Sequence, residues 1–406
     1  MPLNDQSTPL PRGLVLLLGS IMAFGPLSID MYLPSLPTLG EVFGASEARV
    51  QLTLSAYLLG LAVGQLIYGP LADRLGRRRP LMFGIALFTV ASVGCALASS
   101  IDALIALRAL QALGGAAGMV MVRAVVRDLF SAQGGARMYS MLMLVMGVAP
   151  ILAPALGGQV LVWMGWRWIF GALALMGLIC FIAVALRLSE TLPEGVMRAN
   201  RARPIGRVAS DYRRVLTHPQ FFFCVLTGAS SLAALFAYIS ASPFVLIDLL
   251  GIQPAAYGLW FGLNAAAFIL GSQVNARLLR HRRPEQILPW TVGAFTVATL
   301  LMLAVSASAL FGLFSFMASM AIVLFTVGCT LANTTALALQ PFVYEAGAAS
   351  ALLGTLQLSA GAVAGIVVAI SYTDSPVPLA AVIALCGVIA FVAFARARRH
   401  LGAEVA

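Results

Sequence analysis

Two ionisable side chains stand inside apolar runs where a charge is costly. Asp30 lies in Ser28-Ile29-Asp30-Met31-Tyr32-Leu33-Pro34, and Arg108 lies in Leu107-Arg108-Ala109-Leu110-Gln111. In lipid each costs at least about 2.5 kcal/mol at the bilayer centre, so each demands a partner, a wet cavity or a function. If the two runs are helices crossing in opposite directions, both groups sit about six residues, or about 9 Å, from the same membrane face. Two kinds of chemistry fit. One is a structural ion pair joining the two helices. The other is a proton switch at Asp30: burial and a nearby guanidinium act on a carboxyl in opposite senses, leaving a bound ligand or solvent access to decide. No catalytic set competes with these two. The three histidines (His218, His281, His400) fall in basic loops or the tail. No metal pattern, serine elbow or phosphate-cradling loop occurs, so neither enzyme, metal centre nor organic cofactor is expected.

The elements that must hold these groups are apolar spans. Residues are 61% hydrophobic and only 10% charged, with mean hydropathy +0.96; a soluble chain carries about 25% charged residues. The reading is an all-α polytopic membrane protein. Runs near the roughly 20 residues that cross hydrocarbon occur at 14–36, 50–71, 80–99, 103–123, 138–160 and 167–187, and again at 220–242, 255–277, 286–305, 309–334, 348–371 and 377–395. That gives twelve transmembrane helices in two six-helix bundles, residues 1–188 and 220–406, joined by a polar cytoplasmic linker at 189–219. The first run is too long for a signal peptide and carries Asp30. All 25 basic residues are arginines; 22 fall on one side of this topology and two on the other, which puts both termini in the cytoplasm. The net charge of +10 therefore belongs to topology, and no nucleic-acid partner is expected. The single cysteines Cys95, Cys180, Cys224, Cys329 and Cys386 read as packing residues in separate spans.

Four arginines and an acid crowd the turn Gly69-Pro-Leu-Ala-Asp73-Arg-Leu-Gly76-Arg77-Arg78-Arg79-Pro80. Arg77 has a candidate partner in Asp128, at the same end of the fourth span, and such contacts would latch one gate. Gly271 and Asn275 repeat the places of Gly69 and Asp73 after 202 residues, as a duplicated half would. Glycine pairs four apart (Gly60/Gly64, Gly114/Gly118, Gly258/Gly262, Gly361/Gly365) favour close helix approach. Pro150 and Pro154, among Gly147, Gly157 and Gly158, bend the fifth helix. Trp163, Trp166 and Trp168 read as an interfacial belt. Polar groups inside spans offer cavity-lining candidates: Tyr32, Tyr57, Gln111, Tyr238, Asn264, Asn333 and Gln357. Methionines between Met119 and Met146 supply an adaptable apolar surface or plain lipid-facing packing.

The Gly69 turn resembles the signature loop between the second and third helices of major facilitator transporters. The Pro150/Pro154 helix resembles their antiporter motif, with Ala149 where many relatives have glycine. With the Asp30–Pro34 segment, Arg108/Gln111, Arg127-Asp128, Ser240-Ala-Ser-Pro-Phe244 and Gly347–Leu352, the chain is similar to the Bcr/CflA branch of drug–proton antiporters. The resemblance implies two pseudo-symmetric bundles around a central cavity that opens alternately to each side of a bacterial inner membrane. It implies export of small amphipathic drugs of the bicyclomycin or chloramphenicol type, with the proton as coupling ion and a monomer as the working unit. It also implies that Asp73 meets the N-terminus of the eleventh helix. Met22 stands where some relatives carry a second acid, so one titrating acid, Asp30, is expected per cycle. Carriage of a metabolite instead, or a polytopic membrane enzyme, are the rival readings.

Overall fold

The computed structural model describes residues 12–130, 132–202, 205–308, 310–342, 345–371, 373 and 375–401. Within them the chain is helical, without a strand. The first half comprises α1 (Arg12–Met22), α2 (Phe24–Asp30), α3 (Leu36–Phe43), α4 (Glu47–Leu75), α5 (Arg78–Ala96), α6 (Ile101–Leu129), α7 (Ala132–Met164) and α8 (Trp166–Arg187). Two shorter helices follow, α9 (Glu194–Ala202) and α10 (Ile205–Thr217). The second half comprises α11 (Pro219–Pro243), α12 (Pro254–Leu278), α13 (Pro284–Ser306), α14 (Leu313–Leu339), α15 (Ala346–Ile370) and α16 (Val377–Leu401). Among the described residues eleven helices are long and apolar enough to cross a membrane, and the bent pair Gly13–Met22 and Phe24–Phe43 makes a twelfth span.

That bent span matters most for the site. Pro26 has no N–H to give the Met22 carbonyl, so the helix opens at Ala23 and its two parts bend by 45°. Pro34 likewise cannot pair with the carbonyl of Asp30, and the chain passes through a 3₁₀ turn, Leu33–Ser35, before resuming as α3. The span therefore runs on to Phe43 rather than ending near Leu36. Asp30 closes α2, shortly before the 3₁₀ turn.

α4 lies between α6 and α15, and α7 packs along α12, so these helices carry the contact between the halves. The small-residue pairs explain how closely they approach. A Cβ on Gly60 would stand 2.4 Å from the Ala109 carbonyl oxygen, and one on Gly258 2.4 Å from the Ala155 nitrogen. Large apolar side chains such as Phe83, Val90, Leu186, Phe314 and Ile370 point outward, the surface a bilayer covers. The tryptophans divide differently from a belt. Trp163 and Trp168 are exposed, but Trp166 is buried against Phe43 and Phe170, with Arg167 over its ring.

The polar stretch at 189–219 carries α9 and α10. α10 docks on α11 and α15, burying Val215, while Arg214 pairs with Glu345 at 2.8 Å.

Candidate functional site

The first span, α4, α5, α6 and α8 enclose Arg108, seven residues into α6. Its guanidinium carbon lies 4.2 Å from the Tyr57 ring centre, 4.6 Å from Tyr32 and 5.7 Å from Phe170. Nη1 donates to Gln111 Oε1 at 2.7 Å and Nη2 to the Ser28 carbonyl at 2.9 Å. The broken helix makes this last bond available, because α2 ends at Asp30 and no helical N–H claims that carbonyl. Gln111 in turn donates to Ser92 Oγ at 2.7 Å, and the Tyr32 hydroxyl meets Thr53 Oγ1 at 2.9 Å. Each partner fixes the next, so the cation is held without a carboxylate.

Asp30 is the other charge at this level, and it is not paired with Arg108. The residue is only 4% exposed, and no ion pair or hydrogen bond reaches its carboxyl among the described residues. The structural ion pair is therefore not formed: the Ser28 carbonyl and Gln111 have taken Arg108 instead. The α7 motif explains the setting of Asp30. Gly157 presses on the Met31 backbone, where a Cβ would fall 2.0 Å from the carbonyl oxygen, and Gly158 presses on Pro254 at 2.7 Å. Gly147, ten residues earlier in the same motif, faces open space.

Across the interface, Asn264 Nδ2 donates to the Tyr238 hydroxyl at 2.9 Å, and Tyr238 stacks on Phe261. Asn333 is spent elsewhere, donating to Asn275 Oδ1 and to the Cys329 carbonyl, both at 2.8 Å. Asn275, the counterpart of Asp73 in the repeat, is thus a buried packing residue. Gln357 lies beside Gly228 on α11. None of the seven cavity-lining candidates borders the cavity of about 580 Å³ described next.

That cavity opens at the arginine-rich end, between Gln65, Asp73, Arg123, Tyr139, Tyr212 and the start of α15. There Arg77, 3% exposed, bridges two acids: Nη1 to Asp73 at 2.8 Å and Nε to Asp128 at 2.9 Å. The expected Arg77–Asp128 contact is present. The expected contact of Asp73 with the eleventh helix is not, since α15 begins across the cavity and no hydrogen bond joins them among the described residues. Sequence reasoning missed Glu190, whose carboxylate accepts the backbone N–H of Arg77 at 2.7 Å and of Arg78 at 3.1 Å. It thereby caps α5, while Thr191 donates to Asp128 at 3.2 Å. Gly76, with φ +88°, makes the turn, and any Cβ there would strike the Glu190 carboxylate. The available signal was an acid directly after the end of a span, where topology needs none. At the opposite end the halves are closed by Ser240 Oγ donating to Gln51 Oε1 at 3.2 Å and by Gly365 packed on Ser55.

Known proteins agree with this architecture. The family model for the Major Facilitator Superfamily matches residues 16–365. An uncharacterized MFS-type transporter, YdgK, of Bacillus subtilis (strain 168) is 37% identical over 94% of both chains. A chloramphenicol resistance protein of Pseudomonas aeruginosa is 31% identical, covering 83% of this chain and 79% of its own. A bicyclomycin resistance protein homolog of Haemophilus influenzae is 28% identical over 94% of both. Among solved structures, a D-xylose-proton symporter superimposes with a TM-score of 0.74 at 13% identity, covering 94% of this chain and 97% of its own. A bacterial homolog of the lysosomal transporter Spinster, in an inward-facing conformation, also gives 0.74, at 15% identity and 97% coverage of both chains. With a helical bundle of this order and a family match across most of its length, the chain belongs to the major facilitator superfamily of membrane transporters.

Proposed function

We propose that this transporter is a proton-coupled exporter of small amphipathic drugs, working by alternating access as a monomer in a bacterial inner membrane. The chloramphenicol and bicyclomycin resistance relatives support the substrate class. The excess of arginine at one end supports a cytoplasmic placement of that end and of both termini. The cavity then faces the cytoplasm, and the end closed by Ser240 and Gln51 faces outward.

One observation carries the coupling: Asp30 is buried without a partner among the described residues, while neutral groups, Gln111 and the Ser28 carbonyl, hold Arg108 through Nη1 and Nη2. An acid so placed can change its charge without breaking a structural bond. It also sits where the first span meets α7, α11 and α12, the surfaces that must slide when the halves rock. In the proposed cycle a proton from outside neutralises Asp30 and disfavours the bound drug; its loss towards the cytoplasm restores drug binding. By linkage, bound drug disfavours protonation of Asp30 by the same factor.

The test is drug flux in proteoliposomes under an imposed pH gradient, with and without a protonophore. Asp30→Asn should insert normally and exchange drug for drug, yet fail to move drug against its own gradient. Unchanged gradient-driven flux in this variant would remove Asp30 from the mechanism.

A further inference from the structure

The proposed cycle needs a proton path to Asp30 from the end that is closed here. Next to the Ser240–Gln51 contact, two buried hydroxyls, Ser242 Oγ and Tyr257 Oη, lie 2.7 Å apart, and either can donate. Neither belongs to the Arg108 cluster. α7 ties them to the acid. Consecutive glycines of one turn touch Met31, the residue after Asp30, and Pro254, three residues before Tyr257. The turn at Leu33–Ser35 packs on both α11 and α12, which carry the two hydroxyls. The levels follow an order. Met31 and Pro254 meet α7 within one residue of each other, and Tyr257 lies about 4.5 Å inward of Pro254 along α12, near the depth of Asp30. Ser242 stands two residues beyond Ser240, on the outer side of the closing contact.

Resting on the exporter reading, we infer that Ser242 and Tyr257 form the relay that delivers protons to Asp30 from the closed end. A proton arriving at Ser242 Oγ releases that hydroxyl's own hydrogen along the hydrogen bond to Tyr257 Oη. Tyr257 then passes its own hydrogen to the Asp30 carboxylate, directly or through a water. One O–H bond forms at each acceptor as one breaks; both hydroxyls end unchanged and the acid gains one proton. Rotation of the two hydroxyls resets the path. Arg108, turned to Gln111 and the Ser28 carbonyl, does not stand in the way. Tyr57 lies against Arg108, and its hydroxyl points at the Phe24 carbonyl, away from the closed end.

Tyr257→Phe tests this, because it keeps the ring that packs on Phe261 and removes only the oxygen. Ser242→Ala is the companion variant. In proteoliposomes with labelled chloramphenicol, each should cut kcat of gradient-driven flux by about a hundredfold, the scale of a lost proton-transfer group. KM and proton-independent exchange of drug for drug should keep wild-type values, and the solvent deuterium isotope effect on driven flux should rise. Wild-type kcat in both variants overturns the relay, as does a parallel loss of exchange and driven flux, the mark of a merely structural bond. A wild-type protein that moves no drug against a proton gradient removes the exporter reading itself, a result distinct from either.

Discussion

Gly157→Ala is the sharpest mechanical test of how the first span is held. The added Cβ would stand 2.0 Å from the Met31 carbonyl oxygen and 2.8 Å from its Cα, and real Cβ contacts under 3.0 Å essentially never occur. The obstacle is backbone, so it cannot swing aside as a side-chain tip would. α7 and the first span must therefore separate by about 1 Å at the residue next to Asp30. Overpacking of this kind costs about 1–3 kcal/mol, and a displacement of about 1 Å in a working constellation can slow it about a hundredfold. Gly147→Ala supplies the control. It lies in the same motif and helix, yet a Cβ there meets nothing within 4 Å, and alanine favours the helix by about 1 kcal/mol. The assays are drug efflux from everted vesicles and thermal unfolding in detergent. Gly157→Ala should lose most turnover and unfold earlier, while Gly147→Ala should match or exceed wild type in stability. Wild-type turnover in Gly157→Ala would refute the claim that this contact sets the position of Asp30.

Two further outcomes follow from the arginine-rich end. Arg77→Ala takes from the largely buried Asp128 its close counter-charge, leaving only Arg127 at 4.0 Å, whereas Asp73 is half-exposed, so Arg77→Ala should lower the thermal midpoint more than Asp73→Ala. Arg77→Lys should fall between them, since an ammonium cannot span both acids as Nε and Nη1 do; equal losses in all three would contradict the bridge. Glu190 gives a pH dependence. Burial pushes its carboxyl up, but the backbone N–H groups of Arg77, Leu192, Arg78 and Thr191 outweigh that and hold it below its ordinary value. Its contribution is thus present above the unfolded glutamate value of about 4.3 and is lost as pH falls through the lower folded value. Glu190→Gln should unfold earlier than wild type at neutral pH, with the gap closing in acid; a gap that stays constant in thermal scans across pH would count against the cap.

What the sequence made legible was periodicity and cost. Twelve apolar runs, each near the length of a bilayer, announced twelve spans, and a charge in such a run announced Asp30 and Arg108, because lipid penalises it wherever it sits. The contact of Arg77 with Asp128 was legible for a similar reason: two charges at the same end of neighbouring spans have few alternatives. Direction was not legible. Arg108 was equally free, on spacing alone, to meet Asp30 or the Ser28 carbonyl, and the choice depended on a helix break at Pro26 and Pro34 that frees a main-chain oxygen. Glu190 escaped because its partners are backbone N–H groups, which leave no trace in side-chain pattern. Asn275 kept the position of Asp73 in the repeat and lost its environment, being turned inward onto Asn333.

The contrast between the two charges has a physical logic of its own. A guanidinium does not give up its proton in a protein, so inside a membrane it needs partners at every moment. Arg108 has them in Gln111, the Ser28 carbonyl and three aromatic faces, where each close ring contributes about 0.5–2 kcal/mol. A carboxyl can meet the same demand by taking up a proton, and so can sit without fixed partners for part of a cycle. If Arg108 were bonded to Asp30, every protonation event would strand a buried cation, and the switch would carry the full cost of breaking an ion pair. With the cation bound to neutral groups, protonation of Asp30 alters the charge of the site and leaves its scaffold intact. In the proposed cycle, the separation of these two residues is what would let Asp30 titrate while the bundle around it stays folded.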